Sequence, residues 1–198
     1  MPQARCQVGR AVLCYHGGRP HDDALGETAV NIPILIEQYL AGPQLLRRAI
    51  DGMTAEQFDA RPIAGQWSTR EVVCHIADYE PIYADRMKRV IAENEPTILG
   101  GDPAAFTARL AYGSRDVEEE SALILLVRRQ MARILRALRA EDFQRRGIHV
   151  QRGPMTLENI LDRVTSHIPH HAEAIMQKRM AMGSGPPQPG RASAAESL

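Results

Sequence analysis

The stretch "TSHIPHHAEAI", Thr165 to Ile175, sets His167, His170 and His171 within five residues and drops Pro169 between them. His167 and His171 stand four apart, so on an α-helix their imidazoles project from adjacent turns, roughly 6 Å apart along the axis. Two such rings can grip one ion. Leu157, Ile160, Leu161, Val164, Ile168 and Ile175 recur at helical steps and mark the inward stripe, on which His167 and His171 fall. His170 falls instead with Arg163, Ser166, Glu173 and Gln177 and is expected to face water. A third inward ring comes from upstream, where His75 shares a helical face with Val72, Tyr79 and Ile82. Burying neutral imidazoles without partners costs about 1–3 kcal/mol each. Coordination of a divalent ion offsets that cost, since imidazole nitrogen binds zinc and similar ions at about 2.0–2.1 Å. Periodicity alone equally allows three ordinary hydrogen-bonded core histidines.

Other chemistries find less support. The helix does not carry HExxH, because Ile168 stands where that motif needs its glutamate base. No GxSxG elbow and no GxxxxGK[ST] phosphate loop occurs. Cys74 points to a different helical face from His75 and reads as a core filler, not a nucleophile. Arg129, Arg133 and Arg136 line one side of a helix and read as a solvated face. Cys6, Cys14, His16 and His21 match no compact metal-ligand spacing.

The elements that must carry the histidines are helical. A first pattern runs from about Pro33 to Met53, and its Gly42-Pro43 step is expected to kink it. "TAEQF" follows, with Thr54 and Gln57 in capping-box spacing. The helix bearing His75 has the clearest start: Ser68 as N-cap with Glu71 three residues on, and Pro81 predicting a bend farther along. Asp102 and Pro103 open a short helix. A third long helix starts near Asp116, with glutamates early and arginines late, as the helix dipole favours. A polar connection, "EDFQRRGIHVQRGP", then leads to Thr156, which caps the last helix through about Met182. Within that helix Pro169 is expected to free the Thr165 carbonyl and bend the path between the two ligands.

With no strand alternation between them, four main helices with short accessory helices define an all-α four-helix bundle. The expected organisation is a loosely ordered extension over 1–28, the bundle over 29–182 and a disordered tail over 183–198. Twenty-four basic and twenty-four acidic residues leave zero formal charge, so there is no electrostatic footprint for nucleic acid or an anionic membrane. No apolar run is long enough to span a bilayer or serve as a signal peptide. Three irregularly spaced cysteines do not form a disulfide framework, and the expected location is the cytoplasm.

"QWSTREVVCHIADYE", "RMKRVIAENEPTI" and "GPMTLENILDRVTSHIPHHAEAI" together resemble the DinB-like superfamily of helical proteins, also called DinB/YfiT-like, across roughly Ile32 to Met182. The W-S-x-x-E-x-x-x-H and H-x-x-x-H arrangement, in that order, carries the resemblance. It implies a four-helix bundle with a divalent metal, zinc or nickel, held by His75, His167 and His171. It also implies frequent homodimers, and in some members the transfer of a low-molecular-weight thiol or a thiol-dependent isomerisation. Three protein ligands leave a coordination position open, as catalytic zinc sites do. Three functions follow as expectations: transfer of a low-molecular-weight thiol to a small electrophile, metal-dependent hydrolysis with activated water, or a non-catalytic metal-binding dimeric bundle. Asp78, three residues beyond His75, is a candidate to orient an imidazole, against the reading of a plain surface carboxylate. His149, on the connection before the last helix, is a candidate for the mouth of the site, against that of an exposed loop histidine.

Overall fold

Side chains near each helix start supply acceptors for backbone N–H groups that have no partner within the helix. The computed structural model describes residues 31–183; the proposed extension, with Cys6, Cys14, His16 and His21, and residues 184–198 of the proposed tail lie outside the described residues. Helix α1 (Ile32–Ile50) is capped by Asn31, whose side chain accepts from the Ile34 amide at 3.2 Å. Reciprocal capping boxes open α2 (Ala55–Asp59) at Thr54 and Gln57, and α3 (Thr69–Ala92) at Ser68 and Glu71. Asp102 accepts from Ala104 and Ala105 at the start of α4 (Pro103–Arg109). Asp116 does the same for Glu118 and Glu119 at the start of α5 (Val117–Arg136). Thr156 and Asn159 form the capping box of α6 (Leu157–Ala181). The starts at Thr54, Ser68, Asp102, Asp116 and Thr156 were predicted from local spacing, whereas the Asn31 cap was not.

The four long helices form a bundle in which α1 packs against α5 and α6, and so does α3. Helices α1 and α3 are therefore diagonal to each other, and residues 51–68, including α2, carry the chain between them. The inward stripe of α6 is buried as predicted: Leu157, Ile160, Leu161, Val164, Ile168 and Ile175 are all at or below 1% exposure. Core side chains fall into two apolar clusters. One gathers Ile36, Met87, Met131 and Leu161 with their neighbours, and the other gathers Leu46, Val73, Ile124, Ile168 and Ile175.

Three short strands interrupt the helical order, contrary to the expectation of an unbroken polar connection. They are β1 (Thr97–Ile98), β2 (Arg146–His149) and β3 (Gly153–Thr156); β1 pairs parallel with β2, which forms an antiparallel hairpin with β3. Gly153 takes a positive φ of 75° in the hairpin turn, a conformation costly for other residues. Four-residue strands are too short to show a period of two, so this hairpin left no alternation to read. The class remains all-α.

Each of α1, α3 and α6 runs on through an internal proline: Pro43, Pro81 and Pro169. Proline offers no N–H to the carbonyl four residues earlier. In α1 the freed carbonyl is that of Tyr39, and Arg128 of α5 takes it, Nη1 donating at 2.7 Å. Gly42 makes room for that guanidinium, since a Cβ at this position would collide with Arg128 Nη1. In α6 Arg128 Nη2 donates at 2.8 Å to the carbonyl of Val164, adjacent to Thr165. Its Nε and Nη2 also donate to Glu80 Oε1 of α3, at 2.9 and 2.5 Å, and neither side chain is exposed. One guanidinium thus joins four helices.

Candidate metal centre

Helix α3 and helix α6 deliver the three predicted histidines to one point. His75 Nε2 lies 3.1 Å from His167 Nε2, and His171 Nε2 lies 3.1 Å from the same atom. One ring nitrogen from each residue lies within 4.8 Å of the others. These contacts cannot all be good hydrogen bonds. His167 Nε2 has either one proton to donate or one in-plane lone pair to receive, so at most one neighbour is well matched. A cation at the convergence point would satisfy all three nitrogens. With metal–nitrogen bonds of about 2.0–2.1 Å, a 3.1 Å nitrogen separation corresponds to an angle of roughly 100° at the ion, between octahedral and tetrahedral values. The donor set therefore fits a divalent ion. His170 is exposed, as its helical face required.

The rings are held neutral, which is the form that binds metal. Burial pushes the His75 pKa down from 6.5 to about 4, and the charge of Asp78 only partly opposes it. His167 lies well below its ordinary value through burial, then through the proximity of His171, His75 and Arg128. Burial and then His75 act likewise on His171. A neutral folded histidine that ionises on unfolding makes acid destabilising. Protein stripped of metal by a chelator should therefore keep its full stability above about pH 6.5 and lose roughly 1.4 kcal/mol per pH unit for His75 as pH falls toward about 4. Thermal melts in chelator at pH 7 and pH 5 check this, and equal midpoints would contradict neutral burial.

Aromatic side chains line the centre. Trp67 and Tyr79 flank His75 with ring centroids at 5.0 and 4.6 Å, and Tyr83 stands 6.3 Å from His167. Tyr79 also meets Phe106 of α4 at 5.9 Å, so the short helix helps to enclose the rings. His75, Tyr79 and Tyr83 follow one another at four-residue steps, a signal available in the sequence.

Asp78 does not orient an imidazole by hydrogen bonding. Its carboxylate accepts from Tyr112 Oη at 2.8 Å and pairs with Arg115 at 2.9 Å, which fastens the turn Tyr112–Ser114 to α3. The Nδ1 atoms of His75 and His167 are buried with no hydrogen-bond partner. His149 is neither exposed nor in a loop: it ends β2, is 5% exposed, and accepts from the Gln151 amide through Nδ1. No hydrogen bond or ring contact joins it to the three histidines among the described residues. Cys74 fills core space as expected, fully buried with its thiol pKa raised to about 11 by burial. Arg129, Arg133 and Arg136 are exposed, as predicted. Arg128 carries no local signal in the sequence: its neighbour Arg129 is solvated, while its own partner Glu80 lies 48 residues away.

A four-helix bundle with three imidazoles converging in its interior defines the class: helical bundles with an interior three-histidine cluster able to hold a metal ion. The chain belongs to the DinB superfamily, whose family model matches residues 38–175. It is 30% identical over 142 residues to YfiT of Bacillus subtilis, named as a proposed metal-dependent hydrolase; the match covers 71% of this chain and 80% of that protein. A similarly named protein from Oceanobacillus iheyensis is 26% identical over 129 residues, covering 65% of this chain and 74% of its own. The solved structure of the Bacillus subtilis protein, described as having an unusual four-helix bundle topology, superposes with a TM-score of 0.74 at 26% identity, covering 81% of this chain and 91% of that one. Among the described residues no helix is long and apolar enough to cross a membrane.

Proposed function

We propose that this chain is a metal-dependent enzyme that transfers a low-molecular-weight thiol to a small electrophile, with His75, His167 and His171 as the ligands of a zinc or nickel ion. When bound there, the ion supplies Lewis acidity that lowers the pKa of a thiol or water in its open position. The observation that carries the choice of thiol is the state of the nearby carboxylates. Glu71 is held by Arg61 and the Ser68 cap, Asp78 by Arg115, and Glu80 by Arg128. Each is already engaged by an arginine, so none stands free to receive the proton of an attacking water. A thiol, with an ordinary pKa of about 8.5, needs less help to ionise. Trp67, Tyr79 and Tyr83 provide apolar walls for the electrophile and keep bulk water away from the nucleophile.

Hydrolysis is the second reading, favoured by the names of the relatives. The two separate in one experiment. Zinc- or nickel-loaded protein is given monochlorobimane with bacillithiol, mycothiol or glutathione, and in parallel p-nitrophenyl acetate without thiol. Thiol transfer predicts a metal-dependent conjugate, a sulfur–carbon bond replacing carbon–chlorine as chloride leaves and the thiol proton passes to solvent. Metal-dependent ester cleavage with no conjugate from any thiol would instead establish the hydrolase.

A further inference from the structure

Among the described residues Arg86 is a buried cation paired with no carboxylate. It lies on α3 with 7% exposure, its Nη2 donating to the Leu99 carbonyl at 2.7 Å, while its Nε is buried with no hydrogen-bond partner. Among the described residues neither Arg86 nor Arg152 nor Arg163 forms an ion pair. Leaving an arginine buried and uncompensated is costly, and such groups are ordinarily paired. Burial pulls the Arg86 pKa down, and Tyr83 and Tyr79 oppose it only in part.

The position of Arg86 relates it to the centre. Its guanidinium carbon sits 5.0 Å over the ring of Tyr83, and that same ring lies 6.3 Å from His167. Arg163, one turn before His167 on α6, is half-buried, at the border between the inward stripe and the solvated face that carries His170. Arg152, in the turn between β2 and β3, acts with Arg86 and Arg163 as a positive surround for His149, whose pKa falls through burial first and these charges next. Arg86 therefore stands beside the aromatic wall of the histidine site, and among the described residues neither it nor Arg152 nor Arg163 is paired with a carboxylate.

We propose that Arg86, supported by Arg163 and Arg152, binds the carboxylate of a small organic acid whose opposite end reaches the three histidines, with the rings of Tyr79 and Tyr83 against its middle. This assigns the substrate class and rests on the reading of the histidine centre as the place of reaction. Arginine suits the task because its planar donors match both carboxylate oxygens, and the free Nε supplies one of them. The Leu99 carbonyl and the Tyr83 ring fix the guanidinium before any ligand arrives, which lowers the ordering cost of binding.

The test uses benzoate and its neutral analogue benzamide, titrated by calorimetry into the wild-type protein and Arg86→Gln, each with and without zinc. Benzoate is expected to bind at least about tenfold more tightly than benzamide, and Arg86→Gln to abolish that preference while metal content stays unchanged. Arg163→Gln, at a half-buried position, should weaken benzoate by a smaller factor and keeps the test open should Arg86→Gln fail to fold. Equal affinity for the two probes overturns the proposal, as does unchanged benzoate binding by both variants. Binding that survives Arg86→Gln and vanishes without zinc also overturns it, by placing the carboxylate on the ion. A protein that holds no zinc would defeat the reading of the histidine centre instead, and the benzoate preference would still be measurable on the metal-free chain.

Discussion

His167→Ala is expected to remove essentially all bound zinc or nickel. His167 Nε2 is the atom that both other ligands approach at 3.1 Å, so its loss leaves two nitrogens on different helices with nothing between them. Changes to groups outside the ligand set already cost about 10–100-fold in metal affinity, and loss of a ligand at the middle of a three-member set should exceed that range. Elemental analysis after dialysis, followed by competition against a chelator of known affinity, gives the number. His170→Ala is the matched control: exposed and outside the cluster, it should keep a full complement of metal. Full retention by His167→Ala would remove the metal centre.

Arg128→Ala should be the most destabilising single change outside the histidines, lowering stability by about 3–5 kcal/mol. That is a large part of the 5–15 kcal/mol typical of a domain. Three losses coincide. Glu80 stays fully buried without its cation, and burial, which already raises its pKa, is then opposed only by the Tyr39 hydroxyl. The carbonyls of Tyr39 and Val164 lose their donor. The Tyr39 ring loses the guanidinium 4.5 Å from its centroid. Urea denaturation measures the cost. Pairing Arg128→Met with Glu80→Leu should recover much of it, because apolar substitutes remove the stranded charge rather than expose it. A single mutant as stable as wild type would show that the pair makes no net contribution.

These two sites differ in how far the sequence disclosed them. The histidines were legible because helical geometry converts spacing into direction: a four-residue step from His167 to His171, and an apolar stripe to show which side faces in. The caps at Ser68, Asp102 and Thr156 were legible for the same reason, since each cap and the amides that donate to it lie within three residues. Arg128 was not, because its burial depends on Glu80, Tyr39 and Val164, three partners on three other helices. Asp78 misled through proximity. Three residues from His75, it looked like an accessory to the ring, but Arg115 and Tyr112, far along the chain, claim its oxygens. The N–H-free prolines were visible, while the donor that answers Pro43 in α1 was not. Arg86 was hidden similarly, since what distinguishes it is a carboxylate that never arrives.

The guanidinium of Arg128 also has a bearing on how the helices are set lengthwise. Apolar seams like the two clusters of this core resist separation, yet leucines and isoleucines one turn apart are nearly interchangeable, so such seams discriminate weakly against sliding. Arg128 is different: its fork reaches a carbonyl of α1, a carboxylate of α3 and a carbonyl of α6 at once. A shift of any one helix by a turn of about 5.4 Å would break that set and strand a charge. His75 and His167, 92 residues apart in the chain, face each other only when α3 and α6 stand at one axial offset. The buried ion pair thus acts as a key that locks that offset, and it sets His75 level with His167 from outside the histidine cluster.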